Sequence, residues 1–481
     1  MDTIAPKTPA TLPFAAWQAM SPHAAAHAVH TRLAALPPAL RSAAVAWLRP
    51  VADLAASLGE PVSRRTADDQ EIVPPQNQLH PLRALPYLLK DLFDLAGVPT
   101  RAGSTFLDKA RGRPTQDSAI ARRLHTLGAA CAGKTHLVEF AAGLFGDNAH
   151  YGDCPHPYFP DRVSGGSSSG SASLVAAGVV PFAIGTDTGG SVRVPATFCG
   201  VYGFRLSPRD EFIRDAVPLS PSMDTTGWFS AHATDMLTLW QCLTAGRASP
   251  PDEPFPSQAT TARPMDSPHP ARKEPRGCYL PASALGISFD SDTAAACDQA
   301  AATVAPPADS ATIGALLASW QNAIEAYTVT ALSEAHQVHR AWLAPYHEHY
   351  TPSIWQRFTD GGRYLPAQLG QAQATIATVR AAFRHYFASH DYLILPATPF
   401  PALRKSDCTP AARQQLLTLT APASLGGLPV LTIPVPLPSG LTAGLQIILP
   451  AAESAAVPWL LGKWAGATPS ALARRDSGRG P

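Results

Sequence analysis

Apolar positions along this chain fall into short blocks separated by prolines and glycines, and their spacing predicts alternating helices and strands. Residues 15–58 are rich in Ala and Leu and are broken by Pro37, Pro38 and Pro50, which predicts two or three helices. Residues 88–91 read as a strand, 96–103 as a turn region and 117–127 as a helix. In that helix Asp117 suits the N-cap, Ile120, Leu124 and Leu127 form an apolar stripe, and Gly128 can end it. Residues 129–132 then return as a strand, the β-helix-β alternation of a sheet covered by helices. The small residues of 168–177 predict a helix capped by Gly178, followed by a buried strand at 179–184. Further on, 312–343 reads as largely helical, and Ile376, Val379, Phe383 and Phe387 mark an amphipathic helix.

Composition narrows the class. A chain of 481 residues, 46% hydrophobic, can form one large α/β domain or two or three smaller ones. Charged residues make up only 15%, and the 49 prolines are about twice the usual rate. A formal net charge of +1 leaves no electrostatic footprint for nucleic acid or an anionic membrane, so the expected partner is a small molecule. The seven cysteines are scattered and form no C-x-x-C pair, which points to a reduced cytosol. The first twenty residues lack a basic start followed by an apolar core, so no signal peptide is expected. Nor does any run of about 18 apolar residues predict a membrane span.

Candidate chemistry concentrates in 164–204, where two glycine-rich loops, GGSSSGS at 165–171 and DTGGS at 187–191, flank an uncharged apolar segment. The first loop precedes a predicted helix and so offers unpaired N–H groups at its N-terminus. In the second, glycines let consecutive N–H groups converge on one point, a nest suited to an anion or oxyanion. Residues 166–170 also fit the G-x-S-x-G elbow, with Ser168 as nucleophile. That elbow needs a hydrophobic strand before it, whereas CPHPYFPDRVSG precedes it here.

From 165 to 203 the chain follows, almost position by position, the pattern GGSSxGS, small-residue helix, GTDxGGSxRxPxxxCGxxG, and so resembles the amidase signature family. Two more elements stand in family order: LPYLLKDLFDLAGVPTRAGS at 85–104 and AGKTHLVEFA at 132–141. Together these elements cover roughly a third of the chain, far more specific than one glycine-rich motif. The resemblance implies an α/β fold with a mixed central β-sheet covered on both faces by helices, and a metal-independent, cofactor-free hydrolase of small-molecule amides. It implies Ser191 as nucleophile, Ser167 as a bridging serine preceded by a cis peptide bond, and Lys90 as general base. The implied oxyanion hole is the main chain of Thr188, Gly189, Gly190 and Ser191, with Gly166, Ser168, Asp187 and Arg193 as framework. The residue types suit that chemistry. A serine hydroxyl needs a base, and Lys can act as one only when burial lowers its pKa; Lys90 follows Leu88 and Leu89. Asp187 and Arg193 flank Ser191 closely enough to fix its loop, a role favoured here over the alternative that Arg193 meets a substrate carboxylate.

Outside the triad the reading is coarser. For Lys134 and Glu139 the resemblance implies framework residues near the site, with an ordinary surface pair as the alternative. Arg205, Leu206 and Ser207 stand where the family commonly has Lys-Pro-Thr, which bears on substrate class. His23, His27 and His30 share a helix face and read as polar surface, and the spacing of His336, His339, His347 and His349 is broken by Pro345, so no metal is expected. The expected organisation is a single domain over 1–481: N-terminal helices at 1–60, a signature core at 85–235, a mobile loop at 247–277, a variable helical pocket region at 278–390, and C-terminal strands at 391–450 that complete the sheet. Alternatives are the amidase subunit of a glutamine-dependent amidotransferase, an allophanate-type hydrolase of urea derivatives (a group that usually carries Ala where Gly189 stands), and a catalytically silent scaffold. A cytoplasmic location is expected, no nucleic acid or membrane partner is, and a homodimer is compatible.

Overall fold

The structure, a computed structural model, describes residues 10–60, 64–65, 71–72, 80–245 and 274–465. The expected loop at 247–277 therefore lies outside the described residues except for 274–277.

Ten strands form one mixed sheet: β1 Val45–Leu48, β2 Pro86–Lys90, β3 Ala130–Thr135, β4 Phe182–Asp187, β5 Tyr202–Arg205, β6 Thr225–Ser230, β7 Gly277–Tyr279, β8 Tyr392–Pro396, β9 Val430–Pro436 and β10 Thr442–Ile448. Their order is β1-β3-β2-β4-β6-β5-β9-β10-β8-β7. The pairs β3/β2, β2/β4 and β8/β7 are parallel, and all others are antiparallel. Every residue of β2, β3, β4 and β6 is buried, as expected of strands covered on both faces. The C-terminal hairpin β9/β10 joins the sheet beside β5, so segments more than 200 residues apart in sequence share one core.

Helices cover the sheet: α1 Phe14–Gln18, α2 Pro22–Ala34, α3 Pro38–Ala44, α4 Val51–Gly59, α5 Leu107–Arg111, α6 Ala119–Thr126, α7 Ser169–Ala176, α8 Arg193–Cys199 and α9 Ala233–Thr244. The middle of the chain adds α10 Ser291–Ala302, α11 Ser310–Trp320, α12 Ala323–His339, α13 Pro352–Gly361 and α14 Pro366–Phe387, and the C-terminal part adds α15 Pro410–Gly426 and α16 Ala456–Ala465. Among the described residues, no helix is long and apolar enough to cross a membrane.

Three local expectations need correction. The N-terminal region holds four helices rather than two or three, and its VAWL segment is a strand, β1, paired antiparallel with β3. Asp117 is not an N-cap: Ser118 occupies that position, while the Asp117 carboxylate accepts from Ala96 N–H at 2.8 Å and Asp215 takes the Ala119 N–H at 2.7 Å. The strand expected at 179–184 lies instead at Phe182–Asp187, because antiparallel pairing with β6 carries it through Gly185 and Thr186 as far as Asp187↔Thr225. Gly178 follows the end of α7 as expected, with φ 69°.

The register places the chemistry. β2 and β4 run parallel, with Leu89 opposite Ile184, so Lys90 and Asp187 both stand at C-terminal strand ends. Loops leaving the C-terminal edge of parallel strands are where α/β folds build their sites.

Candidate active site

Lys90 is fully buried, and its Nζ contacts three hydroxyls: Ser167 Oγ at 2.8 Å, Ser168 Oγ at 2.9 Å and Thr186 Oγ1 at 2.8 Å. Burial lowers its pKa to about 7, against the opposing pull of Asp187 and Asp224, so a large share of the amine is neutral near neutral pH. A neutral amine has two protons and one lone pair, so one of the three hydroxyls must donate to it. Ser168 is committed elsewhere, since its hydroxyl donates to Thr186 O at 3.1 Å and therefore accepts from Lys90. Ser167 has no such second acceptor among the described residues and can give its proton to Nζ.

The Gly166–Ser167 peptide is cis, as the family pattern implies. A Cβ on Gly166 would lie 2.8 Å from Gly146 N and from Val138 Cγ2, so the glycine is required by close packing. Ser168 N–H donates to Ser191 O at 3.3 Å, which holds the two glycine-rich loops against each other. Ser191 is 3% exposed and lines a cavity shared with Leu219, Tyr327, Leu332, Arg357 and Arg413.

Asp187 organises the second loop. Its Oδ1 accepts from Gly190 N at 2.8 Å, Arg193 Nη2 at 2.9 Å and Arg205 Nη1 at 2.9 Å. Its Oδ2 accepts from Val192 N at 3.0 Å, Arg193 N at 3.3 Å and Arg193 Nε at 3.1 Å. Burial works against this charge, but Arg193 and Arg205 outweigh it and hold the carboxyl well below the usual carboxylate range. Arg205, where the chain departs from the family pattern, thus belongs to the network under the Ser191 loop. Asp187→Asn would leave two buried guanidiniums without their carboxylate and is expected to cost about 3–5 kcal/mol, read by urea denaturation.

The expected oxyanion donors are corrected in one member. Gly190 N–H is already given to Asp187, so it is not free for a substrate oxygen. Thr188, Gly189 and Ser191 N–H have no protein acceptor among the described residues. Gly190 has φ 129°, a conformation that requires glycine and turns this stretch into a nest. The loop is braced from behind: Thr188 Oγ1 donates to Asp224 at 2.5 Å and Thr420 Oγ1 to Gly189 O at 2.6 Å. A Cβ on Gly189 would lie 2.4 Å from Tyr327 Oη, so an alanine there would require Tyr327 to move.

Lys134 and Glu139 are also placed. Lys134 Nζ is buried against Asp91 at 2.6 Å and donates to Thr100 Oγ1 at 2.9 Å, fixing the turn after β2. Glu139 is buried, contacts His150 Nε2 at 3.1 Å and accepts from Thr351 N at 2.9 Å. Two further bonds join the middle helices to the loops around Ser191: Arg357 Nη1 to Ala142 O at 2.7 Å and Ser220 Oγ to Glu334 at 2.6 Å.

The sequence reading missed Thr186, Asp224, Thr420, Tyr327, Arg357 and Arg413. Thr186 lies inside the GTDTGG motif and was within reach of a motif reading, whereas the arginines and Tyr327 come from helices that carry no motif.

A roomier cavity, about 200 Å³ against about 20 Å³ beside Ser191, opens at the opposite end of the sheet near Tyr202, His232 and Thr442. Its reactive side chains do not form a nucleophile and base. Burial keeps the Cys199 thiol protonated and it donates to Ser164 O at 3.3 Å, while His156 is pushed down to about 4 and has both ring nitrogens engaged.

The family model described as Amidase matches residues 56–457. The chain belongs to the amidase family. Amidase 1 of Oryza sativa is 43% identical over 157 residues, which is 33% of this chain and 36% of that protein, so this match spans only about a third of the relative. The AtzE component of 1-carboxybiuret hydrolase from Pseudomonas sp. (strain ADP) is 31% identical over 79% of this chain and 82% of its own. A glutamyl-tRNA(Gln) amidotransferase subunit of Thermus thermophilus is 30% identical over 89% of this chain and 94% of its own. Among solved structures, one described as a crystal structure of amidase superposes with a TM-score of 0.72 at 27% identity, covering 93% of this chain and 96% of that one.

Proposed function

We propose that this amidase-family chain hydrolyses the C–N bond of a small-molecule amide through an acyl-enzyme on Ser191. The observation that carries the reading is a buried Lys90 with a pKa near 7 in hydrogen-bond contact with Ser167. Ser191 Oγ attacks the carbonyl carbon, and its proton passes through Ser167 Oγ to Lys90 Nζ. The carbonyl oxygen, now an anion, is met by the N–H groups of Thr188, Gly189 and Ser191. As the C–N bond breaks, Lys90 returns the proton through Ser167 to the leaving amine. Water then enters by the same relay, its hydroxyl adds to the acyl carbon, and the acid leaves as Ser191 recovers its proton. Asp187 and Arg193 hold the loop rather than the substrate.

All seven cysteines are free, which supports the proposed cytoplasmic setting. Strands from 45 to 448 share one sheet, which supports a single domain. The test is a panel of aliphatic, aryl and ureido amides with ammonia and acid both measured, alongside a fluorophosphonate probe. Turnover of at least one amide and labelling lost in Ser191→Ala are expected; a protein that labels nothing and cleaves nothing is a silent scaffold.

A second reading is favoured by the Thermus relative, which is named as one subunit of an amidotransferase. The chain would then release ammonia for a partner. Purified alone, it is expected to turn over amides if it is a stand-alone enzyme, and to gain activity only with a partner if it is not.

A further inference from the structure

Two arginines from different helices, Arg357 on α13 and Arg413 on α15, line the same cavity as Ser191. Both are half-buried, and neither has a carboxylate within ion-pair distance among the described residues. Arg357 spends one Nη1 bond on Ala142 O at 2.7 Å, and Arg413 Nε is buried without any hydrogen-bond partner among the described residues. The nearby acids are spoken for or distant. Asp224 accepts from Thr188, Leu219 and Ser220, and Asp147 is exposed and acts on Arg357 only from beyond ion-pair reach. Burial first, and the neighbouring Arg413 second, lower the Arg357 pKa to about 10, so Arg357 stays cationic at neutral pH and is repelled by the second guanidinium. Like charges held together without a counter-ion weaken a fold unless an anion sits between them. A planar guanidinium fork with unused donors fits a carboxylate bidentately.

We infer that the substrate is a small amide bearing a carboxylate on its acyl portion, held by Arg357 and Arg413 while Ser191 attacks the amide carbon. This rests on the hydrolase reading above and adds the substrate class. Leu219 and Leu332 line the same cavity with apolar surface, which suits a short carbon chain between amide and carboxylate.

The experiment compares malonamate, succinamate and glutaramate with propionamide, butyramide and valeramide. At least one half-amide is expected to exceed its neutral counterpart in kcat/KM by about 10- to 100-fold, the range for hydrogen bonds to a charged group. Arg413→Gln is expected to collapse that ratio to within about threefold and Arg413→Lys to leave an intermediate one. Independently of turnover, succinate or glutarate is expected to raise the Tm of the wild-type protein but not that of Arg413→Gln. Neutral amides cleaved as well as half-amides, or no Tm shift with any dicarboxylate, would overturn the proposal while leaving the hydrolase reading intact. A dicarboxylate shift without any amide turnover or probe labelling would sink the hydrolase reading and leave the anion site standing.

Discussion

Ser191→Ala is expected to lower kcat by on the order of 10⁵-fold or more, to a remnant left by binding and the oxyanion donors alone. The size follows from the site's wiring. Lys90 reaches Ser167, and among the described residues no carboxylate or histidine supplies a parallel route, so with the hydroxyl gone the base has nothing to activate. Fold should survive, because Ser191 engages the first loop through its carbonyl oxygen, which accepts Ser168 N–H at 3.3 Å and is kept in alanine. Single-turnover kinetics and unchanged thermal unfolding together check this; retention of even a tenth of the activity would assign the nucleophile elsewhere.

Lys90→Met carries the second large effect, about 10³- to 10⁵-fold in kcat/KM, since the positioned base is removed and the Ser167 relay is left without an acceptor. The pH dependence separates this role from a merely structural one. Wild-type kcat/KM should rise with pH through about 7 as Lys90 loses its proton, and that limb should be absent from whatever activity the variant retains. Stability should respond as well. Between about 7 and 10.5 the unfolded chain keeps the lysine proton while the folded chain releases it, so folding gains on the variant by roughly 1.4 kcal/mol per pH unit. Below about 7 both states are protonated and the wild type carries the whole cost of a buried ammonium. Urea denaturation of both proteins at pH 7 and pH 9 reads the difference; a wild-type advantage that does not change between the two pH values would mean that the amine stays charged in the fold.

What the sequence revealed and what it hid divide along one physical line. Ser167 and Ser191 lie in contiguous loops whose backbone needs particular glycines, and Lys90 ends a short apolar strand, so each leaves a local pattern. Gly190, with φ 129°, is legible for that reason. Arg357, Arg413 and Tyr327 instead reach the cavity because α12, α13 and α15 pack together, and nothing within a few residues of any of them records that packing. The same distinction accounts for β1. VAWL sits in an Ala-rich stretch that reads as helix, and only the distant partner Ala130–Thr135 makes it a strand. Asp117 looked like a cap because caps are read locally, yet the carboxylate at the first turn of α6 comes from Asp215, almost a hundred residues away. The free N–H groups of the nest were legible as a set, but the loss of Gly190 from it was not, because that depends on where the Asp187 side chain folds back.

The ties between the middle helices and the reacting loops have an evolutionary consequence. Thr351 is bonded to Glu139, Arg357 to Ala142 and Glu334 to Ser220, so the segment proposed to select the substrate also holds the loops around Ser191. A recombination event that imported this segment whole from a cousin would arrive with mismatched anchors and spoil turnover before it altered preference. New substrates are more readily reached by point changes at cavity-facing positions such as Leu219, Leu332 and Arg413, which carry none of those anchors.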